Sequence, residues 1–218
     1  MGVAFALLLV AGAGAVSAPA SAAKVKKPTV KGTTEITVPL TFVTDAADEG
    51  VIISPVDPAS ALATMEVVAL EFPVTGPEGD GIVRHRGGLS FASANTGITI
   101  ELLDPSLTWG TGPVPVKRAK VSFKNQINGQ IVTLFDVRNI EMDVKIGKPA
   151  KNGKSGWKRT DTMTFTGDLF VVNNPVSVKI FNEAMDAEIF EAGAAFGSLE
   201  SDSSTTVYCK TKKDCTIR

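Results

Sequence analysis

Residues Gly81–Phe91, GIVRHRGGLSF, hold the only histidine of the chain, two arginines and a pair of adjacent glycines. Successive side chains of a strand point to opposite faces, so His85 shares an apolar face with Leu89, while Arg84 and Arg86 point to solvent. Two glycines inside a strand often mark a bulge or the close approach of a ligand or another backbone. The stretch therefore predicts a strand with an inward-facing histidine.

Alternating apolar and polar residues recur on both sides of this stretch and predict strands with one buried face. The pattern occurs at residues 36–42, 98–102, 119–123 and 140–146, and residues 64–72, 131–135, 162–172 and 195–207 are also predicted to be strands. The pair Asn128 and Gly129 predicts a tight hairpin turn, because both residues tolerate a positive φ. About ten strand signals with short turns favour an all-β fold, either an antiparallel β-sandwich or a strongly bent barrel, and we prefer the sandwich.

One helix is predicted near the C-terminus. Asn174 is a suitable cap and Pro175 suits the first turn, while Gly193 is a stop signal. The apolar stripe between them is interpreted as core packing; its members are Val178, Phe181, Met185 and Ile189.

The segment from Pro39 to Gly50 is predicted to contain no helix. Pro39 places the strand at residues 36–42 on a sheet edge, because proline cannot donate to a central ladder. The acidic residues 45–50 lack the ligand spacing of a calcium loop, and we expect an ordinary turn there.

The overall charge excludes some partners. The chain has 218 residues, with 22 Lys plus Arg against 23 Asp plus Glu. Because there is no strong net field, we do not expect nucleic acid as a partner. A basic loop at residues 147–159 carries Trp157, which could stack on a sugar or a base.

The N-terminal sequence predicts an export signal. Residues 1–22 form an apolar run ending in Ala20, Ser21 and Ala22, typical of a cleaved signal peptide. The mature chain would begin near Ala23, with a basic exposed arm at residues 23–33 and one β domain at residues 34–207. We expect a secreted or cell-surface protein without a transmembrane segment after signal removal.

Cys209 and Cys215 are the only cysteines, and both fall in a C-terminal tail at residues 208–218. An even cysteine count in an exported chain favours a disulfide. Two cysteines and one distant histidine do not supply a usual zinc ligand set, so no metal site is predicted.

Several runs together resemble a known family. They are FPVTG from Phe72, the central GIVRHRGGLSF, ITIELLDPSLTW from Ile98, LFVVNNPVSVKIFNEAM from Leu169 and AGAAFGSL from Ala192. In order and spacing they are similar to the HtaA-like domain of secreted and surface proteins of Gram-positive actinobacteria. That family includes haem-binding members with a tyrosine ligand in an early motif; the only tyrosine here is Tyr208, in the tail. The resemblance makes His85 a candidate iron ligand, with Arg84 and Arg86 as partners for haem propionates.

No catalytic residues are assigned. The chain has a single histidine and no GxSxG nucleophile elbow. We therefore expect a secreted, non-catalytic binding module for an unknown small ligand or cell-envelope component. The alternatives are a haem-binding protein that uses His85, with haem as a possible cofactor, and a structural or adhesive surface protein.

Overall fold

The computed structural model describes residues 26–76, 81–109, 118–153 and 156–216. The predicted signal peptide at residues 1–22 lies outside these ranges. Within them, neither helix has the length and apolar character needed to cross a membrane.

Twelve strands and two helices make up the described part of the chain. They are β1 (Thr29–Pro39), α1 (Leu40–Asp48), β2 (Val51–Val56), β3 (Ser60–Ala63), β4 (Val67–Pro73), β5 (Ile82–Arg84), β6 (Gly88–Ser93), β7 (Thr99–Thr108), β8 (Ala119–Asn125), β9 (Ile131–Lys145), β10 (Ala150–Lys151), β11 (Trp157–Val171), α2 (Pro175–Met185) and β12 (Ala195–Cys209).

The strands form one antiparallel sheet in the order β2-β6-β7-β8-β9-β11-β12-β1-β4-β3, with β5 beside β7 and β10 beside β11. The two end strands, β2 and β3, contact each other, so the sheet curls into a nearly closed barrel. The predicted all-β fold is confirmed. Of its two forms, the structure has the bent barrel rather than two stacked sheets.

Irregularities in four strand pairs help the sheet to curve. The register shifts between β7 and β8, β8 and β9, β9 and β11, and β11 and β12. Each such bulge increases the local twist and bends the strand. The hairpin predicted at Asn128 and Gly129 is confirmed: β8 pairs with β9 across this turn, where Gly129 has φ 68°. β6 and β7 also form an antiparallel pair.

A group of phenylalanines fills one end of the barrel. Phe190 lies at its centre, with its ring centroid 5.2 to 6.3 Å from those of Phe42, Phe91, Phe135, Phe181 and Phe196. These separations are typical of favourable aromatic pairs. α2 closes this end of the barrel, with Val178 and Met185 buried.

The prediction for residues 36–50 was wrong in two respects. β1 is an interior strand between β12 and β4, and Pro39 ends it instead of marking a sheet edge. Residues after Pro39 form α1, which buries Ala46 and places the Phe42 ring 4.8 Å from that of Phe196. A helix brings Phe42 into the aromatic group while Asp45 and Asp48 stay exposed.

The boundaries of the arm and the tail also differ from the prediction. Thr29 to Thr33, assigned to an exposed arm, are part of β1 and pair with β12. Tyr208 and Cys209, assigned to the tail, are the last residues of β12. At both places, a strand that carries mostly polar side chains lacks the apolar alternation by which strands are recognised.

The predicted C-terminal helix is confirmed as α2. The Asn174 side chain accepts a hydrogen bond from the Ser177 backbone N–H, as a helix cap should. The helix ends at Asp186, which adopts the left-handed conformation, so Ile189 is buried in the segment after the helix rather than on its stripe.

Some apolar side chains of residues 131–146 that were predicted to be buried are exposed. β9 is one strand through Lys145, and Val144 and Ile146 are more than half exposed despite their apolar alternation. β9, β11 and β12 are each 15 residues long. The far ends of these strands extend beyond the apolar core.

Candidate functional site

The central stretch is divided into β5 and β6, with His85 in an isolated bridge to Val74 between them. Gly87 has φ 87°, and a side chain there would collide with Ala59. A side chain on Gly88 would meet the backbone of Leu102. The glycine pair therefore permits close backbone approach, as predicted.

His85 faces the barrel interior, as predicted, and is 4% exposed. Its Nδ1 lies 2.9 Å from the Pro105 carbonyl oxygen, which can only accept, so Nδ1 donates. Burial lowers the pKa of His85 to about 4, against a smaller opposing effect of the Pro105 hydrogen bond. The ring is therefore neutral near pH 7.

Because the His85 ring is neutral and Nδ1 carries its proton, the role of Nε2 is also determined. Nε2 carries no proton and accepts from the Thr34 hydroxyl at 2.6 Å. Thr34 Oγ1 also lies 2.7 Å from Ser201 Oγ. The network joins β1, β12, the residue after β5 and a backbone carbonyl of β7.

The two arginines predicted to accompany His85 lie elsewhere. Arg84 and Arg86 are exposed, on the opposite face of the chain from the buried ring. With both ring nitrogens already hydrogen-bonded, His85 offers no free nitrogen to a ligand in this geometry. The structure therefore does not bring the three predicted site residues together.

The interior becomes more polar toward the end opposite the phenylalanines. Ser203 lies two residues beyond Ser201 and is 6% exposed, and its hydroxyl has no partner among the described residues. Arg159 is buried too, and donates through Nε and Nη2 to Asp161 Oδ2 at 3.1 and 2.8 Å. The buried guanidinium is thus neutralised by a carboxylate on its own strand.

The C-terminal loop closes over this polar end. Cys209 and Cys215 form the predicted disulfide. Cys215 is buried, and its carbonyl oxygen accepts a hydrogen bond from Arg159 Nη1. The disulfide and Arg159 together hold the loop against the barrel.

The outside of the long strands carries a row of carboxylates that sequence reasoning missed. Glu71, Glu35 and Glu200 are direct cross-strand neighbours, and Thr166 separates Glu200 from Glu141. We call Glu35, Glu71, Glu141 and Glu200 the acidic face. All but Glu71 line a groove of about 290 Å³, and none pairs with a cation of the described residues.

Positive charge is concentrated about eight residues away from Glu200 and its partner Thr166, at the other ends of β12 and β11. Lys158 is the cross-strand partner of Tyr208, Lys151 is that of Trp157, and Lys210 follows β12 directly. Lys26 Nζ lies 4.7 Å from the centre of the Tyr208 ring, and Lys212 Nζ lies 5.7 Å from that of Trp157. We call Lys26, Lys151, Lys158, Lys210 and Lys212 the basic end.

The basic end is assembled from three separate segments, so its parts are visible in the sequence but their proximity is not. The available signals were the basic loop around Trp157 and the lysines between the cysteines. Only the pairing of β10, β11 and β12 brings them together.

Comparison with known proteins adds no assignment. No protein-family model matches the chain, and no curated protein matches it. The resemblance to the HtaA-like domain therefore remains a prediction, and the candidate site is defined by its own geometry.

Proposed function

We propose that the protein is an exported, non-catalytic binding module that attaches to a component of the cell envelope. The observation that carries this proposal is the segregation of surface charge. A chain with a formal net charge of −1 presents four carboxylates on the acidic face and five lysines at the basic end. Such separation creates strong local fields without a strong net field.

The arrangement of the acidic face supports a surface role. Like charges directly opposite each other on neighbouring strands destabilise a sheet. Glu71, Glu35 and Glu200 stand in this relation, without a cation of the described residues to offset it. Because this repulsion lowers the stability of the sheet, the acidic face is better explained by a role in binding or excluding partners than by a role in folding.

The state of His85 supports the absence of catalysis by histidine. A general base must reach the proton that it removes, through a nitrogen that is free to accept it. The only histidine of the chain is buried, and each of its ring nitrogens already has a partner. The side chain acts as a structural link in the interior.

Co-sedimentation tests the proposal. Mature protein, from Ala23 onward, is mixed with washed insoluble envelope particles at low salt and centrifuged. We expect the protein in the pellet, its release by salt, and no soluble fragments of the particles. Protein that stays in the supernatant at low salt, or that degrades the particles, would contradict the proposal.

Haem binding through His85 is the competing function, and haemin titration separates the two. Axial ligation would require His85 to leave both of its hydrogen bonds. We expect no Soret shift with wild-type protein. A shift that disappears in His85→Ala, but persists in Arg84→Ala, would replace the binding module with a haem protein.

A further inference from the structure

We propose that the basic end binds an anionic polysaccharide, a chain of sugar rings that carry carboxylate, sulfate or phosphodiester groups. This inference rests on the proposed function, because it names the partner class of the module. Three features of the described residues carry it: uncompensated positive charge, aromatic rings covered by ammonium groups, and an adjoining row of hydroxyls.

The positive charge is available to a ligand. The five lysines are exposed, and none forms an ion pair with a carboxylate of the described residues. The one carboxylate of the C-terminal loop, Asp214, accepts a hydrogen bond from the Thr211 backbone N–H. Asp161 is occupied by Arg159 and by the Gly147 N–H. An anionic polymer could therefore meet these lysines without first breaking an internal salt bridge.

The state of Tyr208 reflects the same positive environment. Hydrogen bonds from the Thr29 and Lys26 side chains lower the pKa of the Tyr208 phenol, and the charges of Lys26 and Lys158 act in the same direction. Its ring and that of Trp157 each have a lysine ammonium over one face. A ligand would therefore contact lysine ammonium groups that pack against the Tyr208 and Trp157 rings.

This geometry favours a polysaccharide over a nucleic acid. Proteins that bind single-stranded nucleic acid present open aromatic rings on which successive bases stack. Here, lysines cover one face of both rings, which leaves charge as the main attraction.

A row of hydroxyls adds a second form of recognition. Three threonines are cross-strand neighbours on β1, β12 and β11: Thr29, Thr206 and Thr160. They lie on the same outer face of the sheet as Lys158 and Tyr208, two residues further along β11 and β12. Thr160 and Thr206 are joined by a hydrogen bond of 2.8 Å. Hydroxyl side chains both donate and accept, and can thus pair with sugar hydroxyls beside the charged groups.

The acidic face limits how far such a polymer can extend. It lies further along the same sheet, about eight residues from Tyr208 on β12, and would repel an anionic chain that continued in that direction. A bound polymer should therefore cross the strand ends, over Lys151, Lys158 and the C-terminal loop.

Dextran sulfate, with neutral dextran of equal length as the control, tests this inference by calorimetry on the mature protein. We expect binding of dextran sulfate only, with affinity falling more than tenfold as NaCl rises from about 50 to about 200 mM, because added salt screens exposed charges. No binding of dextran sulfate at low salt would overturn the proposal.

Charge reversal locates the site. The double variant Lys151→Glu/Lys158→Glu should weaken dextran sulfate binding at least tenfold. The matched control is Lys120→Glu/Lys124→Glu on β8, which makes the same charge change at exposed positions of another strand and should leave the affinity within about twofold, since distant exposed charges are screened. Equal losses in the two variants would show a general charge effect and overturn the assignment. Circular dichroism confirms that both variants are folded.

A third variant and a second polymer test the identity of the ligand. Thr160→Val/Thr206→Val removes both partners of one hydrogen bond and should weaken dextran sulfate binding several-fold. Oligothymidylate should bind less tightly than dextran sulfate at equal salt; equal or tighter binding would assign the site to nucleic acid instead. Envelope sedimentation without dextran sulfate binding would refute only this inference, and the reverse result would refute only the proposed function.

Discussion

The two ends of the barrel interior are stabilised by different interactions. At one end, Phe190 touches other phenylalanine rings from several elements, and the contacts are apolar. At the other, His85 and Arg159 are buried and held by hydrogen bonds. The same strands, β11 and β12, contribute to both ends.

The difference shows how one sheet combines two kinds of stability. Apolar packing is non-directional and roughly proportional to the buried area. Buried polar groups contribute little net free energy when paired, but cost much when one partner is removed. The apolar end should therefore provide most of the stability, and the polar end should make that stability depend on pH and on single hydroxyl groups.

Phe190→Ala should produce the largest loss. Removing a buried phenylalanine that contacts five other rings leaves a cavity, and we expect the free energy of unfolding to fall by about 3 to 5 kcal/mol. Urea unfolding followed by tryptophan fluorescence measures the change. Phe190→Leu, which keeps more volume, is the control and should cost clearly less; equal losses would contradict a packing role.

Acid should lower the free energy of unfolding through protonation of His85 at the polar end. Burial lowers its pKa to about 4 in the folded protein, against 6.5 in an unfolded chain. Because the unfolded chain binds more protons between these values, stability present above pH 6.5 is lost as the pH falls toward 4, by about 3 kcal/mol. Urea unfolding over this pH range measures the slope, and His85→Asn should lack this part of it. Identical slopes in wild type and variant would exclude His85 as the source.

The C-terminal loop should contribute less. Opening the disulfide by Cys209→Ser/Cys215→Ser should cost about 2 kcal/mol, since the closed loop is short. Thermal unfolding with and without reductant gives the value, and reductant should leave the variant unchanged. Hydrogen exchange should show the loss of protection confined to the loop and the end of β12, whereas loss throughout the barrel would contradict a local role.

The smallest predicted changes in stability concern the buried hydroxyl groups of Thr34 and Ser203. Thr34→Val removes the donor to His85 Nε2 and should cost about 1 to 2 kcal/mol, because a buried acceptor is left without a partner. Ser203→Ala removes a buried hydroxyl that has no partner among the described residues, and should be neutral or slightly stabilising. Thermal unfolding of both variants checks the contrast, which fails if the serine variant loses as much as the threonine variant.

The sequence was sufficient to predict the elements whose residues alternate or are capped. β6 and β7 bury largely alternate side chains, and Asn174 and Pro175 begin α2 as expected. The inward direction of His85 also followed from period two. These features depend on near neighbours in the chain, and local rules describe them well.

Features that depend on distant contacts were missed. α1 forms where Phe42 can reach Phe190 and Phe196, which lie 148 and 154 positions further along the chain. The start of β1 depends on its pairing with the polar end of β12, and the acidic face exists only in the register of five strands. The partners of His85, Thr34 and Pro105, could not be chosen from spacing alone.

The length of β12 holds the acidic face and the basic end far apart, and these two charge groups alone contribute a large electric dipole. From Glu200 to Tyr208 the strand advances eight residues, or about 26 Å at the usual rise. Four unit charges of each sign at that separation correspond to roughly 500 debye, on the order of 140 peptide dipoles aligned in one direction. The field of a negatively charged surface exerts a torque on such a dipole before contact, so the protein should approach that surface with Lys158 and the C-terminal loop leading. Its net charge of −1 gives no indication of that orientation.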